Sequence, residues 1–114
     1  MKIIGKITTR FRATHQWKQC DIEEVMFLKN EHHHEFRVEV LIEQRHGDRD
    51  VEYIAFQRYL DRIIQQMLED LDSNRSCEHM ASYLNDKISG DYKNRWASVE
   101  VTEDGYYGAV VTNE

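Results

Sequence analysis

The chain has 114 residues, 32% charged and 40% hydrophobic, with a formal net charge of −6. That length supports one hydrophobic core and no second, so a single domain over residues 1–114 is expected. The acidic balance, with no Lys/Arg run to follow a phosphate backbone, argues against a nucleic-acid partner, and no run of about 18 apolar residues offers a membrane span. The opening Met1-Lys2-Ile3-Ile4-Gly5-Lys6 is too polar for a signal peptide. The two cysteines, Cys20 and Cys77, do not amount to a disulfide framework. These features read as a reduced, cytoplasmic protein with no membrane association.

Proline is absent, so glycine and polar clusters punctuate the chain. Residues 2–15 alternate with period two, the mark of a half-buried strand. Ile3, Gly5, Ile7, Thr9, Phe11, Ala13 and His15 share one face; Lys2, Lys6, Arg10 and Arg12 share the other. Residues 31–44 alternate more cleanly. His32, His34, Phe36, Val38, Val40 and Ile42 lie on one face, with Glu31, His33, Glu35, Arg37, Glu39 and Glu43 opposite. His46-Gly47-Asp48-Arg49 reads as a turn, after which Val51–Tyr53 is expected to pair back as a short strand. From Ile54 to Leu71 the period becomes helical, with Phe56, Leu60, Ile63, Ile64, Met67 and Leu71 on one stripe. A polar break at Asp72-Ser73-Asn74-Arg75-Ser76 precedes a second helix. Ser76 is its expected cap, Glu78 lies in its first turn, Met80, Ala81, Leu84 and Ile88 form its apolar stripe, and Gly90 is its expected stop. Residues 96–103 alternate again, Asp104-Gly105 is a hairpin turn signal, and Tyr107, Ala109 and Val111 belong to a last strand. Strands flanking a helical pair indicate an α+β fold with an antiparallel sheet.

Several polar residues continue apolar faces. His15 follows Phe11 and Ala13, and His32 and His34 precede Phe36 and Val38. Residues two apart in a strand point the same way, roughly 7 Å apart. Three imidazoles thus fall on core faces near strand ends, where three ligands and an open fourth position suit a catalytic zinc; the alternation selects His32 and His34 over His33. A single histidine on such a face is more often a satisfied core residue, and a His-His-His run is often surface. Glu103 shares the face of Val99 and Val101, and a buried carboxylate needs partners. It either marks the strand leaving the core or anchors the N–H donors of a ligand.

Five segments in register resemble the 6-pyruvoyltetrahydropterin synthase family, which includes the 6-carboxytetrahydropterin synthases of queuosine biosynthesis. Phe11-Arg12-Ala13-Thr14-His15 resembles its F-x-A-x-H, and His32 to Val40 resembles its H-G-H-N-Y-x-V-x-V with His33 at the glycine. Ala55-Phe56 with Leu60, one place beyond the motif's leucine, resembles D-F-x-x-L with Ala replacing Asp, Asn74 to Glu78 resembles N-P-T-x-E, and Val101-Thr102-Glu103 resembles V-x-E-T. The resemblance implies a tunnelling fold (T-fold). Its four-stranded antiparallel sheet carries two helices on one face, and its subunits assemble into a barrel, usually a homo-hexamer of two trimers with active sites between subunits. It implies zinc held by His15, His32 and His34, a pterin anchored by Glu103 with Glu78 as a second acidic position, and lyase chemistry on 7,8-dihydroneopterin triphosphate.

The likeness fails at the proton-transfer groups. Leu28 stands at the family's catalytic cysteine, and Ser73 follows Leu71-Asp72 where its L-D-H motif has the histidine. Cys20, in the loop after His15, and Asp72 are the substitute catalytic candidates. Cys20 reads rather more readily as an ordinary reduced thiol, and Glu23, Glu24 or Glu31 offer other bases. Losing a positioned acid or base typically costs about 10²–10⁴-fold, so metal and pterin binding are better founded in the sequence than the standard reaction. The alternative expectation is a divergent T-fold protein that binds zinc and a pterin or purine without that reaction. A purely structural α+β protein would leave the histidines and Glu103 without a purpose.

Overall fold

The computed structural model describes residues 1–113. Their elements are strand β1 (Ile3–His15), a 3₁₀ segment (Glu23–Lys29), β2 (His32–Gln44), helix α1 (Tyr53–Asp70), helix α2 (Cys77–Asp91), β3 (Ala97–Glu103) and β4 (Tyr107–Thr112). The strands form one antiparallel sheet in the order β1-β2-β3-β4. Both helices are inserted between β2 and β3, yet these strands are direct neighbours. The helical pair therefore rises from the sheet and returns, with α1 against β1 and α2 against β3 and β4.

The alternation of β1 and β2 becomes two faces. Ile7, Phe36, Val38, Val40 and Ile42 are buried beneath the helices, while Lys6, Arg10 and Arg37 are exposed. The helical stripes supply the opposing layer: Phe56, Leu60, Ile64 and Met67 from α1, and Met80, Ala81, Leu84 and Ile88 from α2. Ser76 caps α2 as expected, its side chain accepting from the His79 N–H at 3.1 Å, and His79 completes the box by accepting from the Ser76 N–H at 3.2 Å.

Three expectations are corrected. Val51–Tyr53 is not a strand: Glu52 caps α1 by accepting from the Ile54 and Ala55 amides, and Tyr53 is already helical. Gly90 does not stop α2, which runs to Asp91; the left-handed residue beyond it is Asn94 (φ 61°). The residues after His15, expected as a loop around Cys20, are not irregular throughout. They contain the 3₁₀ segment and are tied to the break between the helices by Gln16 N–H to Ser73 O (2.8 Å) and Lys18 N–H to Asn74 Oδ1 (2.9 Å). Asp104 and Gly105, at φ 55° and 78°, make the expected turn between β3 and β4. Among the described residues no helix is long and apolar enough to cross a membrane.

Candidate metal centre

The end of β1, the start of β2, the end of β3 and the N-terminus of α2 meet at one end of the sheet. The register sets His15 opposite His32, Ala13 opposite His34 and Phe36 opposite Glu103. The three imidazoles form a nearly equilateral triangle, with centroids 4.6 Å (His15–His32), 5.2 Å (His15–His34) and 4.9 Å (His32–His34) apart. Phe36 is its floor, its ring 5.1 Å from that of His15 and 5.7 Å from that of His34. His33 is exposed on the other face. One ring nitrogen from each of His15, His32 and His34 lies within 4.8 Å of the others, near enough to share one ion.

The outward nitrogens are identified by what holds the inward ones. His15 Nδ1 lies 2.9 Å from the Arg75 carbonyl, His32 Nδ1 2.8 Å from the Asn30 carbonyl, and His34 Nδ1 2.7 Å from Asp104 Oδ2. Each partner only accepts, so each Nδ1 carries the hydrogen, and a neutral ring then presents a bare lone pair on Nε2. The Nε2 atoms of His15 and His32 are buried with no hydrogen-bond partner. Into the same space Glu103 brings Oε1, 3.1 Å from His15 Nε2, and Oε2, 3.7 Å from His34 Nε2. Lone pairs and a carboxylate thus face one another with no donor between them. A cation resolves this, either a proton or a metal ion, and imidazoles oriented through Nδ1 are the usual preparation for metal binding.

The charges respond accordingly. Burial pulls the His15 pKa down, but the Glu103 carboxylate and the Arg75 carbonyl outweigh it, leaving His15 above its ordinary value. Contact with His15 holds the Glu103 carboxyl below the usual range despite its burial. Asp104 is held low chiefly by His34, and also by the Glu35 N–H it accepts.

Beside the triangle lies a cavity of about 600 Å³, lined by His15, His32, Glu103, Cys77, Glu78 and Trp17, among others. This is within the size range of small-molecule sites. The predicted residues divide. His15, His32, His34 and Glu103 come together, and Glu78 joins them at the cavity wall. Cys20 does not line it: the thiol is buried within its own loop, 3.6 Å from the Val25 carbonyl oxygen. Asp72 also lies off it, accepting the Asn74 N–H at 2.8 Å. Leu28 lines the cavity where the family resemblance would put a thiol. Cys77 lines it as well, but burial, aided by the Glu103 and Glu78 charges, pushes its thiol up to about 12, which disfavours a thiolate.

The three groups that orient the imidazoles are invisible to motif reading: Asn30, like Arg75, acts through its backbone carbonyl. Asp104 looks like turn chemistry, and the Arg75 Nη2 donates to Thr14 O at 2.7 Å.

The molecule is thus an α+β domain with a four-stranded antiparallel sheet, two helices and a three-histidine cluster that could hold a metal ion. No protein-family model matches the chain, and no curated protein matches it significantly.

Proposed function

We propose that this protein is a zinc-dependent, 6-pyruvoyl/6-carboxy-tetrahydropterin synthase-like protein acting on 7,8-dihydroneopterin triphosphate or a related pterin. The observation that carries the reading is the convergence of three Nδ1-anchored imidazoles, two of which, His15 and His32, line a cavity that Glu78 and Glu103 also line. A zinc ion held by His15, His32 and His34 would supply Lewis acidity toward oxygen functions of a bound side chain. The protein's own groups do the rest. Glu78 offers a carboxylate for the N–H donors of a pterin edge, and Phe36 packs beneath the imidazoles and keeps them from turning away.

A second reading shares the metal and the ligand class but not the reaction. It is favoured by the placement of Cys20 outside the cavity and of Leu28 inside it. Incubation with 7,8-dihydroneopterin triphosphate, followed by pterin absorbance and fluorescence, separates the two. A new pterin product, lost in His15→Ala, supports the synthase-like reading. Saturable pterin binding without turnover supports the second, and neither binding nor turnover removes both. Should product form, Cys20→Ala is expected to leave it undiminished, and its loss would return Cys20 to the mechanism.

A further inference from the structure

Glu103 stands where the resemblance implies an anchor for a pterin, yet its carboxylate is turned onto the histidines. We propose that Glu103 is the fourth ligand of the metal in the resting protein, closing the site to solvent until a substrate displaces it. This rests on the three-histidine metal reading and assigns the position that reading leaves open.

The spacing carries the argument. Ligand atoms about 2.0–2.1 Å from a tetrahedral ion stand about 3.3–3.4 Å apart. Glu103 Oε1 lies 3.1 Å from His15 Nε2 and Oε2 lies 3.7 Å from His34 Nε2, so each carboxylate oxygen stands near that separation from one imidazole. The His15 contact does not have the alignment of a hydrogen bond, since His15 Nε2 is left without one. It is the approach of an acceptor to an acceptor, which a shared cation explains.

The backbone holds the carboxylate there. Glu103 is the last residue of β3, paired with Phe36, and the next amide, Asp104 N–H, donates to Glu35 O at 2.7 Å. Its side chain is about four-fifths buried, where an anion needs a cationic partner. Three neutral imidazoles leave a divalent ion with its full charge, and Glu103 cancels half of it. The metal-ligand and pterin-anchor roles of Glu103 are then sequential: it leaves the ion when a substrate arrives, while Glu78 meets the first donors of the incoming ring.

Cobalt(II), loaded into the full-length protein in place of zinc, reports the fourth position through its visible absorption bands. Wild-type protein is expected to show bands that excess azide does not alter. Glu103→Gln, similar in shape but a poor ligand, is expected to bind cobalt at least tenfold more weakly and to shift its bands on addition of azide. An identical response to azide in both proteins, whether a shift or none, overturns the proposal, and so does undiminished affinity in Glu103→Gln. If that variant fails to fold, an azide-induced shift in the wild type overturns the proposal and azide-inert bands sustain it. Absence of cobalt binding by the wild type overturns it together with the three-histidine centre, an outcome distinct from bound cobalt that responds to azide.

Discussion

The three histidines are oriented by acceptors of unequal strength. His15 and His32 donate to carbonyls, His34 to the carboxylate of Asp104. A charged acceptor makes the stronger bond and raises the basicity of the opposite nitrogen. Asp104 sits at φ 55°, a conformation asparagine also tolerates. Asp104→Asn is therefore expected to keep the turn and weaken zinc binding by about 10–100-fold, the usual range for a partner behind a ligand. Competition with a chromophoric chelator measures this, and an unchanged affinity would contradict the orienting role. His33→Ala, on the exposed face, is expected to leave affinity unchanged. The triangle was legible in the sequence because a strand's period of two marks which side chains share a face. Asp104 was not, because its carboxylate reaches a histidine 70 positions away and nothing local distinguishes it from any turn aspartate.

At the scale of elements, the strands and helices were legible wherever one face is apolar. Residues 16–31 were not, since their path is set by bonds to the break between the helices rather than by their own pattern. Val51–Tyr53 has strand-forming residues, but the Glu52 cap commits them to α1. Glycines illustrate the same dependence on surroundings. At Gly90, inside α2, an added Cβ meets nothing within 4 Å, and Gly90→Ala is expected to stabilise the fold by about 0.5–1 kcal/mol in urea denaturation. At Gly108 a Cβ would strike the Val101 carbonyl oxygen and the Thr102 Cα, so Gly108→Ala is expected to destabilise.

The approach to β3 has a pH dependence of defined sign. Asp50 accepts the Arg45 N–H at 2.7 Å and Arg95 Nη1 at 2.8 Å, and these bonds hold its carboxyl below the ordinary value of 3.8. A depressed carboxyl contributes stability above its unfolded pKa and loses it as pH falls through the folded one. Asp50→Asn is thus expected to lower the thermal midpoint at neutral pH, with the difference from wild type shrinking below about pH 4. A difference independent of pH would assign the effect to packing instead.

The whole molecule is longer than a closed globule of its size. A compact chain of this length has a radius of gyration of about 13 Å, whereas this one has 15.2 Å and extends 50 × 24 × 22 Å. The long β1–β2 ribbon accounts for the excess, and both sheet edges, β1 and β4, lack a neighbouring strand among the described residues. Open edges of this kind favour pairing with another chain. Sedimentation is expected to give a multiple of 13.7 kDa; a monomer at all concentrations would contradict pairing through these edges.

Every role proposed for the site depends on a cation at three converging imidazoles. Zinc titrated into metal-free protein, followed by calorimetry with matched His15→Ala and His32→Ala samples, tests it most directly. One zinc per chain, with affinity at least a hundredfold lower in each variant, is the predicted result. No binding by the wild type, or binding that both variants retain in full, would contradict it.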